Sequence, residues 1–338
     1  MKFPKVSFLT ATYNNGTQIP ALLESIKRQD YPKDKIEHVI ADANSTDNTT
    51  KIAKRYGCKI IINEKLNCEY GYLKAYNAAN GEIRFFVSAD NVLGDENWIR
   101  KMVMPFLEDK EIAGAYCSFG IDKKDNSINK YVTMACDPFT NFVYGKGANI
   151  WQFPKFFKIK EKGGNWQIYD FSSIDYPLLC FDQGFALKKG YKRPEGSEFC
   201  DIIPVVEMLK SGKKIAHVTN TYTLHYCYHG FKHFISKINR KISNALSTDK
   251  FGMVYRDKIY GNREREFRKF LWVFYASSVI FPVAYSIKKF IKTGKTYWFY
   301  EFPVSVIMFF LLAKNITKKY FLKRRVEYTY HGKTISSM

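Results

Sequence analysis

An acidic residue at the end of an apolar segment is the first place in this sequence where chemistry can be expected. Residues 84–87 are Arg-Phe-Phe-Val, which predicts a buried strand, and Ser88, Ala89 and Asp90 follow directly. Ligands of open α/β sheets bind beyond the carboxyl ends of the strands. A carboxylate between small residues leaves space there for a divalent cation and a phosphorylated ligand, because Mg²⁺ and Mn²⁺ prefer oxygen ligands. Asp90 is therefore a candidate metal ligand, although Asp-Asn after a strand is also a common turn.

Polar side chains also follow two other apolar segments. Thr12, Tyr13 and Asn14 come after one predicted strand, and Asp42 comes after the next. If these strands are neighbours in a parallel sheet, their ends meet Asp90 at one edge and form a nucleotide-type pocket. The sequence has neither a GxGxxG motif after the first strand nor a GxxxxGK[ST] motif, which disfavours dinucleotide and P-loop sites.

Alternating strands and helices supply the frame for this edge. The helices are predicted from apolar residues at helical spacing around residues 19–26, 45–56, 72–79 and 98–106. This alternation predicts an α/β fold with a mainly parallel, doubly wound sheet. The strands are expected at residues 6–11, 38–41, 59–62, 84–87 and 113–118.

Four segments in chain order resemble the successive motifs of family 2 glycosyltransferases. They are residues 6–14, 42–47, 71–77 and 88–91, and the similarity covers the first 120 residues and resumes over residues 178–246. The resemblance implies a GT-A fold, which is a Rossmann-like, doubly wound mixed sheet. It also implies a nucleotide-sugar donor, UDP- or GDP-linked, and transfer of the sugar with inversion.

The resemblance also assigns donor-binding residues. It implies that Thr12, Tyr13 and Asp42 hold the nucleoside, with Asp42 accepting a hydrogen bond from the base or the ribose. Ser88, Ala89 and Asp90 then stand at the DxD position. The matching motifs place four more residues at the donor, namely Ala11, Asn14, Gly71 and Lys74.

The metal site departs from the family pattern. Ser88 stands where the family has its first acid, and Ala43 stands where many members have a second Asp. Asp90 then holds Mn²⁺ or Mg²⁺ nearly alone. In some members a histidine completes the metal site, and the resemblance implies His225 for that position, with His229 as a spare.

The residues around Asp201 allow two interpretations. Apolar residues at helical spacing follow it, so its carboxylate suits the N-cap of that helix. The resemblance instead implies a general base, which takes the proton of the acceptor hydroxyl. The pair here is Cys200-Asp201 rather than Glu-Asp, with Glu198 in reserve. Upstream, Asp182 and Gln183 interrupt an apolar segment and are candidates for contacting the acceptor.

Residues 231–242 predict a basic amphipathic helix, with apolar residues on one face and cations on the other. Such a helix can lie on a membrane surface, or it can be an ordinary solvated helix. Lys237 and Arg240 are also candidates for binding the leaving diphosphate or a lipid phosphate.

Two long apolar segments lie near the C-terminus. Residues 270–287 carry no charge, and residues 297–313 carry only Glu301. Lysines lie between them, so full crossing would place these cations on the side opposite the catalytic domain, against the positive-inside bias. We expect a re-entrant or in-plane helical hairpin that anchors the protein to the cytoplasmic face of a membrane. A soluble core hairpin is the alternative.

These observations predict two regions. Residues 1–250 form the catalytic domain, with a nucleotide-sugar half over 1–120 and an acceptor half over 121–250, and residues 251–338 form the hairpin and a basic tail. Within the acceptor half, residues 122–177 have no clear periodicity, which is typical of a functional loop or lid, or of a satellite hydrophobic cluster.

The composition limits the partners. Lys+Arg 53 against Asp+Glu 32 gives a net charge of +21, which favours an anionic partner. No nucleic-acid-binding motif is present, so we expect a lipid-linked or glycan acceptor and a membrane surface rather than nucleic acid. The 7 cysteines form no CxxC pair, so no disulfide framework is expected. A degenerate protein that binds a nucleotide or glycan without catalysis is the alternative, because Ser88 has replaced an acid.

Overall fold

The computed structural model describes residues 3–181, 183–193, 202–247, 252–261 and 263–322, together with 329–330 and 333–334. Their contacts group into two compact units. The sheet unit comprises residues 1–120, 154–173 and 179–225, and the helical unit comprises residues 121–153, 174–178 and 226–338. The functional division at residue 250 stays a prediction.

The strands and helices follow one another in this order. The strands are β1 Val6–Thr12, β2 Ile36–Asp42, β3 Lys59–Ile62, β4 Ile83–Val87, β5 Asn91–Leu93, β6 Ile112–Phe119, β7 Ile159–Lys162, β8 Trp166–Tyr169, β9 Gln183–Lys188, β10 Lys214–His225, β11 Thr329–Tyr330 and β12 Lys333–Thr334. The helices are α1 Ile19–Lys27, α2 Thr49–Arg55, α3 Cys68–Ala78, α4 Trp98–Glu108, α5 Ser127–Ala135, α6 Pro138–Tyr144, α7 Phe153–Phe156, α8 Ile203–Lys210, α9 Phe231–Ser247, α10 Gly252–Tyr260, α11 Arg263–Ser277, α12 Ile280–Thr293 and α13 Glu301–Ile316.

One mixed sheet organises the sheet unit. Within the described residues its order is β3-β2-β1-β4-β9-β6-β10-β8-β7, and β5 pairs with β10 outside this path. Strands β3, β2, β1 and β4 are parallel, β6 and β10 are parallel, and β9 is antiparallel to both β4 and β6. The predicted fold class, α/β with a doubly wound mixed sheet followed by a helical C-terminal region, is confirmed.

The apolar strands form the sheet because their side chains pack in a dense aromatic core. Phe8 of β1, Phe85 of β4 and Trp98 of α4 are all fully buried. The ring centroids of Phe8 and Phe85 lie 5.2 Å apart, and those of Phe85 and Trp98 lie 4.9 Å apart in an edge arrangement. The apolar faces predicted for α1 and α4 are both buried against this sheet.

Several predicted boundaries and one predicted loop were wrong. Helix α2 begins at Thr49 rather than near residue 45, because the residues before it bind loop backbone with their side chains. Strand β5 was missed, since three residues show no periodicity. Residues 122–177 are not irregular: they contain α5, α6, α7, β7 and β8. Within this region, Asp137 caps α6, because its Oδ1 accepts the backbone N–H of Thr140 at 2.9 Å.

The helical unit has its own apolar core. Phe234 and Ile238 of α9 pack there with Trp272 of α11 and with Val304 and Met308 of α13. The apolar face of α9 is therefore packed in protein, which favours the alternative of an ordinary solvated helix.

The two apolar C-terminal segments form three helices rather than a simple hairpin. Helices α11 and α12 meet at an angle of 87°, so the first segment is broken near Val279. In the second segment Glu301 is buried, and its carboxylate accepts hydrogen bonds from the hydroxyls of Tyr131 at 2.6 Å and Tyr275 at 2.9 Å. By length and composition, the helical stretch Thr296–Phe321 is long and apolar enough to cross a membrane.

Two buried histidines should make the stability of the sheet unit depend on pH. His217 stacks on Tyr116 at 4.9 Å, and its Nε2 lies 3.0 Å from the hydroxyl of Ser118. Burial lowers the pKa of His217 to about 4 and that of His38 to about 3. Between these values and about 6.5 the unfolded chain binds more protons, so the free energy of unfolding falls as the pH falls through that range, by at most about 1.4 kcal/mol per pH unit per histidine.

Urea denaturation between about pH 7 and pH 4.5 measures this dependence. We expect His217→Gln to flatten the slope, because Gln stays neutral throughout. The matched control is His229→Gln at an exposed position, which should keep the slope of the parent protein. An unchanged slope in His217→Gln would show that His217 is not buried in the neutral form.

Candidate active site

A buried carboxylate lies where the two first strands end. The parallel register places Thr12 opposite Asp42, and the hydroxyl of Thr12 donates to Asp42 Oδ1 at 2.8 Å. Ser45 donates its backbone N–H to Oδ2 at 2.8 Å and its hydroxyl to Oδ1 at 2.6 Å. A carboxylate offers about four acceptor positions, so these three bonds leave about one, on Oδ2. Asp42, which is 5% exposed, therefore keeps room for one further donor.

Hydrogen bonds join the loop after β1 to the loop after β2. The backbone N–H of Asn14 donates to the Ser45 hydroxyl at 2.8 Å, and Asn14 Oδ1 accepts from the N–H of Thr46 at 2.8 Å. Asn14 adopts a positive φ of 52°, a conformation that Asn tolerates well. Asp47 fixes the loop further by accepting the N–H of Gly16 at 2.9 Å. Asn14, Ser45 and Asp47 thus hold the two loops in a fixed arrangement beside Asp42.

Helix α3 approaches the end of β1 closely because of a glycine. A Cβ on Gly71 would lie 2.8 Å from the Ala11 Cβ and 2.8 Å from Asn63 Nδ2. Gly71 therefore has a packing function beside the predicted donor residue Ala11. Lys74, one turn later, forms an ion pair with Glu64 at 2.8 Å on the surface. Direct contact of Gly71 or Lys74 with a donor stays a prediction.

The turn after β4 is held by its own side chains. Asn91 is fully buried, and its Oδ1 accepts the N–H of Ser88 at 3.0 Å, while its own N–H donates to the Ser88 carbonyl at 3.0 Å. The Ser88 hydroxyl lies 3.2 Å from the hydroxyl of Tyr72. Ala89 is buried, so the turn presents Asp90 as its partly exposed acid. Asn91 and Tyr72 support this turn, and the sequence analysis gave neither a function.

The sheet brings a histidine next to this acid. Strand β5 runs antiparallel to β10 and places Asn91 opposite His225, so the residue before Asn91 lies beside the histidine. His225 Nε2 lies 3.4 Å from Asp90 Oδ1, and the two side chains are 19% and 22% exposed. The two side chains can each offer one ligand atom to a metal ion. Carboxylate oxygen and imidazole nitrogen are ligands that Mn²⁺ accepts, so the residues fit the predicted metal.

Of the three residues predicted on the acceptor side, the structure describes one. Gln183 pairs with Val87 at the end of β4, which puts its backbone beside the turn that carries Asp90. Asp182 and Asp201 lie outside the described residues. Glu198, the reserve candidate for the general base, also lies outside the described residues.

The two candidate phosphate ligands of α9 lie in the helical unit. Lys237 Nζ donates to the Cys227 carbonyl at 3.2 Å and lies over the Tyr228 ring at 5.2 Å. Arg240 is half-buried on the same helix. Their contact with a phosphate stays a prediction.

Comparison with known proteins gives a consistent set of similarities. Residues 7–173 match the family model of glycosyl transferase family 2. Poly(ribitol-phosphate) beta-N-acetylglucosaminyltransferase TarS of Staphylococcus aureus is 33% identical over 104 residues, which cover 27% of this chain and 17% of TarS. A transferase of Methanococcus voltae is 23% identical over 244 residues, which cover 69% of this chain and 70% of that protein. Its name is dolichyl N-acetyl-alpha-D-glucosaminyl phosphate 3-beta-D-2,3-diacetamido-2,3-dideoxy-beta-D-glucuronosyltransferase.

Among solved structures, the chain is similar to the mannosyltransferase PcManGT of Pyrobaculum calidifontis, in complex with GDP-Man and Mn²⁺. The sequence identity is 16% and the TM-score is 0.49, with 94% of this chain and 88% of that chain covered.

The close packing of α3 against β1 can be tested by substitution of Gly71. Gly71→Ala would put a methyl group 2.8 Å from Ala11 Cβ, so α3 must shift, and we expect a loss of about 1–3 kcal/mol in unfolding free energy. The matched control is Asn77→Ala at an exposed position of the same helix, which should be neutral or slightly stabilising. Equal stability of the two variants in urea denaturation would contradict the packing function of Gly71.

Proposed function

We propose that the chain is a metal-dependent, inverting hexosyltransferase of glycosyl transferase family 2, whose family model matches residues 7–173. It moves a sugar from a UDP- or GDP-linked donor to a lipid-linked acceptor, for the synthesis of a glycan, a polysaccharide or a glycolipid. The observation that carries the proposal is the placement of two groups at one sheet edge. These are the Asp42 carboxylate, with one acceptor position left, and the Asp90–His225 pair, at the ends of strands on either side of β1.

The nucleoside is assigned to the pocket between the loops after β1 and β2. Thr12 and Ser45 donate to the Asp42 carboxylate and thereby orient its remaining acceptor position. That position accepts an N–H of the base or a hydroxyl of the ribose. Tyr13 is a largely buried aromatic residue of the same loop, and Asn14 holds that loop to its neighbour.

The diphosphate is assigned to the turn that carries Asp90. Asp90 and His225 would hold Mn²⁺ or Mg²⁺ by one oxygen and one nitrogen. When bound, the cation neutralises negative charge that develops on the leaving nucleoside diphosphate. His225 binds a metal only as the neutral imidazole, so metal affinity falls as the pH drops and the ring becomes protonated.

On the acceptor side of the proposed reaction, we assign Asp201 as the general base. Its carboxylate takes the proton of the acceptor hydroxyl while the hydroxyl oxygen attacks the anomeric carbon, on the face opposite the leaving diphosphate. One displacement of this kind inverts the configuration at that carbon. Gln183, whose backbone lies beside the Asp90 turn, and Asp182 are assigned to the acceptor. A phosphate acceptor is already ionised and has no need of this base.

The lipid-linked acceptor is supported by one relative. The Methanococcus voltae protein is named as a glucuronosyltransferase for a dolichyl N-acetylglucosaminyl phosphate. A non-catalytic binding protein is the rival, because the Ser88 hydroxyl lies beside Tyr72 where the family has a metal-binding acid. Nucleotide binding without transfer, across a panel of donors and lipid extracts, would favour this rival.

The metal assignment predicts linked losses in two variants. We expect Asp90→Ala and His225→Ala each to weaken the Mn²⁺-dependent part of UDP or GDP binding by about tenfold or more, because each removes one ligand. Binding without metal should change little. Calorimetric titration of nucleotide, with and without Mn²⁺, measures both quantities.

The control for these variants is Asp34→Ala, which removes an exposed acid near the start of β2 and should leave nucleotide binding unchanged. Full Mn²⁺-dependent binding in Asp90→Ala would remove Asp90 from the metal site.

The base assignment predicts a loss of turnover without a loss of donor binding. We expect Asp201→Asn to lower the rate of sugar transfer by about 10²–10⁴-fold, since the amide cannot accept the proton. Glu198→Gln is the matched control and should retain most of the rate. Release of UDP or GDP from the nucleotide sugar, in the presence of extracted lipids, measures turnover. Wild-type turnover in Asp201→Asn would exclude this base and point to a phosphate acceptor.

A further inference from the structure

We propose that α11 and α12 form a surface that binds the interface of an anionic lipid bilayer, and that the helical unit does so without crossing the bilayer. The proposal does not depend on the transferase activity. Its basis is an unusual distribution of apolar side chains on these helices, which have two apolar faces instead of one.

Helix α11 exposes a stripe of aromatic and aliphatic side chains. Its members share the spacing i, i+3, i+4 and i+7, which places them on one face of the helix. On the opposite face Arg265, Trp272 and Ala276 are buried in the helical unit. The core therefore uses one face of α11, and the other face lies in solvent. The exposed stripe consists of Phe267 (59% exposed), Phe270 (58%), Leu271 (37%) and Phe274 (55%).

Helix α12 repeats this arrangement. Ile280, Ile287 and Ile291 lie at the spacing i, i+7 and i+11 on one face, and Ile280 is 73% and Ile291 77% exposed. Pro282 and Ser286, on the opposite face, are buried. Single exposed apolar residues are common, but stripes of large ones on successive helices mark a contact surface.

The charges beside these stripes indicate which partner binds this surface. Residues 267–300 contain no Asp or Glu, and four lysines lie on or just after α12. Lys288 and Lys292 are exposed and stand about 80–120° around the helix from the Ile280 stripe. An in-plane helix with an apolar face flanked by lysines suits a bilayer interface with anionic headgroups, because the lysines reach the headgroups while the apolar side chains enter the acyl region. A second copy of this chain, equally rich in lysine here, is a poorer match.

The packing of α13 argues against crossing. Its residues Val304 and Met308 pack against Phe234 and Ile238 of α9. The other face of α9 carries exposed cations, so lipid around α13 would draw those cations into hydrocarbon. Helices α11 and α12 have 15 and 14 residues and meet at 87°, whereas a spanning helix needs about 20 residues. The exposed cations and polar residues of α9 include Lys232, Ser236 and Lys241.

Vesicle flotation of the full chain tests the surface. We expect binding to vesicles of phosphatidylcholine with phosphatidylglycerol, weaker binding to phosphatidylcholine alone, and reduced binding at high salt. The double variants Phe270→Ser/Phe274→Ser and Ile287→Ser/Ile291→Ser should each lose at least tenfold in partitioning. Ile62→Ser removes an equally exposed apolar residue of the sheet unit and should bind as the parent does.

Two further measurements separate the outcomes. Thermal melts of both double variants should match the parent, because the replaced side chains are exposed. Loss of vesicle binding together with a lowered melting temperature would attribute the effect to unfolding and overturn the proposal. The proposal would also be overturned if the parent protein does not bind vesicles but forms a dimer that the Ser variants abolish.

Cysteine labelling tests whether the helical unit lies on the bilayer or crosses it. A cysteine at Lys295→Cys, between α12 and α13, should react with a membrane-impermeant maleimide added outside the vesicles, as measured by mass spectrometry of that peptide. Protection of this cysteine until detergent is added would show that the chain crosses the membrane.

Discussion

The hydrogen-bonded ladder between β5 and β10 is the constraint on which the candidate metal site depends. Asp90 and His225 are far apart in the chain, and neither strand would bring them together alone. The antiparallel register places Asn91 opposite His225, and Asn91 also holds the turn at Ser88 through its side chain. A shift of this register by one residue would turn His225 to the other face of the sheet. The ligand pair is thus a product of backbone pairing.

The parts of the site that could be predicted from the sequence are those that follow from strand ends. Asp42 and Asp90 each terminate an apolar segment, and parallel strands bring such ends to one edge. Their supporting residues were not predictable in this way. Ser45 and Asn91 act through side chains that bind backbone or a carboxylate across a turn, and their residue types occur in any turn. The three residues of β5 are too short for any periodic signal.

The helical unit shows a second limit of sequence patterns. Residues 270–287 carry no charge, so periodicity cannot separate a core helix from a lipid-facing one. The structure separates the two faces: Trp272 and Ala276 are buried, while Phe270 and Phe274 are exposed. The prediction of an irregular loop over residues 122–177 was wrong for the opposite reason. Its helices are short, so they show little periodicity, and capping side chains such as that of Asp137 mark where two of them begin.

The position of β9 in the sheet has a consequence for biosynthesis. This strand lies between β4 and β6, although it follows both of them in the chain. While the nascent polypeptide emerges from the ribosome, β4 and β6 each have an edge that waits for Gln183–Lys188 to appear. Unpaired strand edges are sites of aggregation. The centre of the sheet therefore closes only late in synthesis, which gives chaperones time to act there on the newly made chain.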